Sequence, residues 1–214
     1  MPPTEKLIAM LSEQLQPVQP LRPPAVRAIG WIALASGLIA VLAWLRGLRA
    51  DLDIQLGEPA YLIQVAGAWL TGAAATFAAF NVSLPDRPRG WFLLPLPFAV
   101  LWLSGFAFGC LEDWIAIPAG APIARDSIRC LVTIVMASVP LGLALWIMLR
   151  RSRPLRPSGT AWMGALAVAT FADTAHLLIH VVQASLLVLV VNLVPAAAII
   201  TIAGLMGRRP LAAR

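Results

Sequence analysis

Six long apolar runs, each near the ~20 residues that carry a helix across ~30 Å of hydrocarbon, constrain this chain more than any other feature. They are Ala28 to Leu45, Ala60 to Phe80, Trp91 to Cys110, Ile128 to Leu149, Ala161 to Ile179 and Ser185 to Met206. A water-facing surface cannot hide them. Of the 214 residues, 60% are hydrophobic and only 12% are charged, about half the charged share of a soluble domain. Inside a bilayer every backbone N–H and C=O must find its partner within the segment, which leaves helices as the economical solution. The reading is therefore all-α: an integral membrane bundle of six transmembrane helices spanning residues 25–207. A cytoplasmic segment, 1–24, precedes it, and a basic tail, 208–214, follows it.

The loops orient the bundle. Counted along the sequence, 12 of the 16 Lys and Arg residues fall in the N-terminal segment, the loops 81–90 and 150–159, and the tail. The other 4 (Arg46, Arg49, Arg125 and Arg129) share the opposite side with Asp51, Asp53, Glu58, Glu112, Asp113 and Asp126. The positive-inside rule places both termini in the cytoplasm, and an even number of spans agrees. The net charge of +6 is thus explained by topology. No helix or ribbon resembles a groove reader, so no direct contact with nucleic acid is expected. No cleavable signal peptide is visible, and the first span serves as the uncleaved insertion signal. Trp31, Trp44, Trp91, Trp114 and Trp162 lie near the ends of runs and read as an interfacial belt.

Residues Thr4 to Leu15 form an amphipathic helical pattern, with Leu7, Ile8, Leu11 and Leu15 at helical spacing. Pro17, Pro20, Pro23 and Pro24 then stiffen the linker to the first span. Two readings stand side by side. The helix docks its apolar row in a groove on a soluble partner, or it rests on the inner leaflet.

Chemistry-bearing residues are few. Cys110 closes the third run and Cys130 opens the fourth, so both belong to the outer layer. They can sense redox state or a thiophilic metal, or simply pack as small apolar residues. Asp173, His176 and His180 share one face of the fifth helix. Ionisable groups at such depth are costly and tend to be functional or paired. With the cysteines they can form a soft-metal site, and without them an internally hydrogen-bonded pair. No P-loop, nucleophile elbow, zinc-protease helix or dinucleotide turn occurs, so no enzyme activity is expected. No resident cofactor is expected beyond a transient thiophilic metal ion. A small transporter or channel using Asp173, His176 and His180 is the alternative function, and a scaffold subunit of a membrane complex is another.

An ordered set of residues carries a resemblance. It comprises Leu21-Arg22-Pro23-Pro24 and Arg27 after the N-terminal helix, Arg89, Trp91, Leu94-Pro95-Leu96-Pro97, Gly109-Cys110, Asp113-Trp114, Cys130, Pro140, Arg150-Arg151 with Pro154 and Pro157, and His176. With six spans, this resembles the NrsF family of bacterial membrane anti-sigma factors. The resemblance implies a protein of the bacterial inner membrane that holds an extracytoplasmic-function sigma factor. Its N-terminal segment (Leu7, Ile8, Leu11, Leu15 and Arg22) would bind the partner. A periplasmic cue, heavy metal or oxidant, would release it, sensed at Cys110 and Cys130 with His176 and His180. The chain departs from the family in one place. A further Cys usually follows the His of the fifth helix, and here that stretch reads His176-Leu177-Leu178-Ile179-His180.

Overall fold

Helices of alternating direction make up most of the described residues. The computed structural model describes residues 4–13, 21–105, 123–152, 154 and 156–179, the side chains of 123–131 excepted. The described residues contain no strand. Helix α1 is Thr4–Glu13, α2 is Pro24–Arg46, and α3 is the single turn Leu52–Gln55. Helix α4 is Pro59–Val82; a 3-10 turn, Arg89–Leu93, leads to residues 96–105, which form α5. Helices α6, Ile123–Arg150, and α7, Pro157–Ile179, follow. Four of them are long and apolar enough to cross a membrane: α2, α4, the Val132–Arg150 part of α6, and α7. The end of the third run and the whole of the sixth, Ser185 to Met206, lie outside the described residues.

Prolines set the helix starts. Pro24 and Pro59 stand in the first turns of α2 and α4, where a missing N–H costs nothing and φ is already helical. The third run does not begin as one straight helix at Trp91. Pro95 and Pro97 cannot donate to an earlier turn, so the chain makes the 3-10 turn first and starts α5 at residue 96.

Close approaches fix the directions. Gly67 of α4 lies under the Trp102 backbone and Gly105 against Gln64, so α4 and α5 are antiparallel. Gly164 meets Leu145 and Leu149, and Gly142 meets Val168, so α6 and α7 are antiparallel. Trp31 reaches Leu141 and Arg27 reaches Ser152, which sets α2 against α6 in the same way. One end of the bundle therefore gathers Arg27, Arg87, Arg89, Arg150, Arg151 and Arg156. The opposite end gathers Arg46, Arg49, Asp51, Asp53 and Glu58. Helix α1 precedes α2 at the Arg-rich end.

Helix α7 is the axis. It buries residues on every side, many of them small: Gly164, Ala165, Ala167, Ala172 and Ala175. Its most extensive contact is with α4, which is equally rich in Gly and Ala. Small side chains let helix backbones close in where lipid offers no hydrophobic drive. Four buried hydroxyls are consumed locally. Thr71 donates to Gly67 O, Thr76 to Gly72 O, Thr170 to Leu166 O and Thr174 to Thr170 O, the back-bonding that hides a hydroxyl in an apolar helix.

Helix α2 is apolar all round, and its buried stripe is Ala28, Trp31, Ala35, Ile39 and Leu42. This corrects the belt reading for Trp31. Its indole is buried, donates to Leu141 O at 3.3 Å and meets the Phe171 ring edge-on at 5.4 Å. A buried indole needs an acceptor, and Leu141 O of α6 supplies it. Trp44 and Trp162 are exposed, as belt residues are; Trp114 lies outside the described residues.

Candidate functional site

Helix α1 buries none of its residues. Leu7, Ile8 and Leu11 stand exposed in one row, Ile8 at 61% and Leu11 at 57%. A ten-residue helix is marginal alone in water, so an uncovered apolar row calls for a surface to cover it. Leu15 lies outside the described residues. Arg22 is exposed in the link to α2.

At the opposite end the chain leaves α2 through Gly47, whose φ of 82° suits a residue without Cβ. That turn folds the next residues onto α7. The Arg49 backbone N–H donates to Leu178 O at 3.1 Å. Its buried guanidinium donates twice to Asp51, at 2.7 Å each, and lies over the Tyr61 ring at 5.1 Å. The Tyr61 hydroxyl in turn donates to Leu177 O at 3.1 Å. Two donors from elsewhere thus hold the last described turn of α7.

Arg49 holds the Asp51 carboxyl below its ordinary range through the paired hydrogen bonds. The guanidinium itself is raised, first by those bonds. A depressed carboxyl supports the folded state above its unfolded pKa and loses that support only as pH falls through the lower folded value. The clasp should therefore be unchanged from pH 8 to pH 5 and open only below about pH 4. Hydrogen exchange at the Arg49 amide reports this, and Asp51→Asn should lower its protection at neutral pH.

Deeper in α7, Asp173 and His176 are both buried. Asp173 Oδ2 accepts from Trp102 Nε1 at 2.9 Å, a bond that ties α5 to α7. Cys130 lies in α6, with its side chain outside those described. Helices α6 and α7 run antiparallel, with Gly142 opposite Val168 and Gly164 opposite Leu145 and Leu149. Cys110 and His180 lie outside the described residues. Among the described residues no group of three His, Cys, Asp or Glu side chains forms a metal site.

Reading the sequence alone singles out neither Arg49 nor Tyr61 nor Trp102. Arg49 counts there only as an outer charge. The available signals are Gly47 just before it and the one tyrosine in the chain.

An exposed helix, α1, precedes in sequence a bundle with four helices long and apolar enough to cross a membrane. The family model described as "Negative regulator of sigma F", NrsF, matches residues 11–212. The chain belongs to the NrsF family. No curated protein and no solved structure matches it. The NrsF match begins at Leu11, inside α1, and runs through the linker and every apolar run. The family name makes the protein a negative regulator of transcription, with a sigma factor as its partner.

Proposed function

We propose that this NrsF-family protein holds an extracytoplasmic-function sigma factor at the bacterial inner membrane and releases it on a periplasmic stress cue. One observation carries the reading: α1 leaves Leu7, Ile8 and Leu11 bare and leads in sequence into α2, whose first turn lies at the end of the bundle that gathers arginine. The positive-inside rule makes that end cytoplasmic, with both termini there. A sigma factor meets α1 through those residues, with Leu15 and Arg22 extending the contact.

The cue, a thiophilic metal or an oxidant, acts at the other end on Cys110 and Cys130, with His176 and His180 close in sequence to the turn involved. The ordered residues shared with the family, Cys110 and Cys130 among them, support this.

The test uses the full chain in membranes. A sigma factor should co-purify with it in unstressed cells and dissociate after cadmium or peroxide treatment, with a sigma-dependent reporter rising in step. A chain that retains no sigma factor would remove the reading. Cys110→Ser and Cys130→Ser should each abolish the response and leave retention intact; an unchanged response would take the thiols out of the mechanism.

A further inference from the structure

Helix α2 touches both ends of the bundle and is the only described span joined to α1. An arginine anchors it at each end. At the Arg-rich end, Arg27 Nη2 donates to Met148 O and, at 2.7 Å, to Ser152 Oγ, and its guanidinium lies over the Phe80 ring at 4.7 Å. Helix α6 ends at Arg150, so Met148 O belongs to the last turn, whose carbonyls lack intrahelical donors and carry the negative end of the helix dipole. At the opposite end the Arg49 clasp holds the last described turn of α7. Between the anchors, Trp31 bonds Leu141 O and meets Phe171 edge-on.

We infer that α2 is the transmitting element: the Arg49–Tyr61 clasp on α7 and the Arg27 anchor on α6 together define the state that holds the partner. This rests on the sigma-holding reading above. His176 lies in the turn of α7 that the clasp grips, next to Leu177 and Leu178. A change there loosens the Arg49 N–H and Tyr61 hydroxyl bonds. Helix α2 then shifts against α6, Arg27 leaves Met148 O, and the mooring of α1 moves with it. A cue can bias this equilibrium only by favouring one arrangement over the other. The arrangement with both anchors made is one of the two states the scheme requires. Arg27 and Arg49 are positioning residues in this scheme, since neither meets the partner.

Sigma retention and reporter activity are measured for the full chain in membranes, at matched protein amounts. Arg49→Gln keeps the backbone bond but removes the ion pair and the ring contact. Without any cue, it should raise the reporter about tenfold, the shift that follows from losing a charged hydrogen bond from one of two states. Arg27→Gln should act in the same direction. Arg49→Lys keeps a cation beside Asp51 and Tyr61 and should restore most of the retention, which a general folding defect would not allow. Tyr61→Phe removes one hydroxyl and should lower the dose of cue needed for release, giving a readout even where Arg49→Gln does not accumulate. Wild-type retention together with an unchanged reporter and unchanged dose in these variants would overturn the inference and leave the sigma-holding reading standing. A wild-type chain that retains no sigma factor would overturn both.

Discussion

The full chain carrying Ile8→Asp and Leu11→Asp is expected to bind its sigma factor about 100- to 1000-fold more weakly, with the spans still assembled. The size follows from what an apolar anchor contributes. A buried interface anchor costs about 2 kcal/mol or more when lost, and each ~1.4 kcal/mol is tenfold in affinity. A carboxylate in its place adds the cost of a charge in an apolar groove. The bundle should not notice, because α1 buries nothing, and surface changes usually stay within about 0.5 kcal/mol. Glu13→Gln, on the far side of α1 from the row, serves as the control and should bind normally. Titration of the purified sigma factor against the chain in detergent gives the number. Equal affinity of the double variant and the wild type would move the docking element elsewhere in the chain.

The sequence made the membrane character and the helix periods plain, because hydropathy and length suffice for them. It could not show which way each helix faces. Helix α2 is apolar on all sides, so nothing in its pattern separates Trp31, which is buried, from Trp44, which is 82% exposed. The central place of α7 was better written, in its run of Gly, Ala and Thr. Asp173 was visible as a buried acid, but its donor was not. Trp102 sits in another span, and only the α5–α7 alignment puts its indole within 2.9 Å. Arg49 is the clearest case of hidden information. Loop arginines orient a bundle by their number, whereas this one acts through Asp51 two residues on and through a ring and a helix end that are distant in sequence. The helical stretch of α1 was legible because helix periodicity is local, and the family's sigma-factor link came from the ordered residues, not from any physical pattern.

Gly67→Ala is expected to destabilise the bundle by about 2 kcal/mol, while Gly30→Ala and Gly37→Ala should be close to neutral. The contrast isolates packing from helix propensity, since all three changes add the same methyl group to a helix. A Cβ at Gly30 or Gly37 meets nothing within 4 Å. At Gly67 it would stand 2.7 Å from the Trp102 backbone N and 2.8 Å from its Cα. Backbone cannot swing aside as a side-chain tip can, so α4 and α5 must part. That displacement has a second cost, because Trp102 carries the indole that satisfies Asp173. Drawing α5 away stretches the bond and leaves a buried carboxylate short of its donor, a loss of about 1–3 kcal/mol by itself. Trp102→Phe should therefore be costly alone and markedly less so in a Gly67→Ala background, where the bond is already weakened. Gly72→Ala supplies the comparison. Its methyl group would press on Phe171 Cδ2 at 2.7 Å and Thr170 Oγ1 at 2.8 Å, and Phe171 is hemmed in by Trp31 and Trp69. It should also destabilise, but its effect should add to that of Trp102→Phe, because it acts on α4 against α7 and leaves α5 in place. Thermal unfolding of the purified variants in detergent measures all of these. Simple additivity of Gly67→Ala with Trp102→Phe would show that the α4–α5 contact and the Trp102–Asp173 bond are independent.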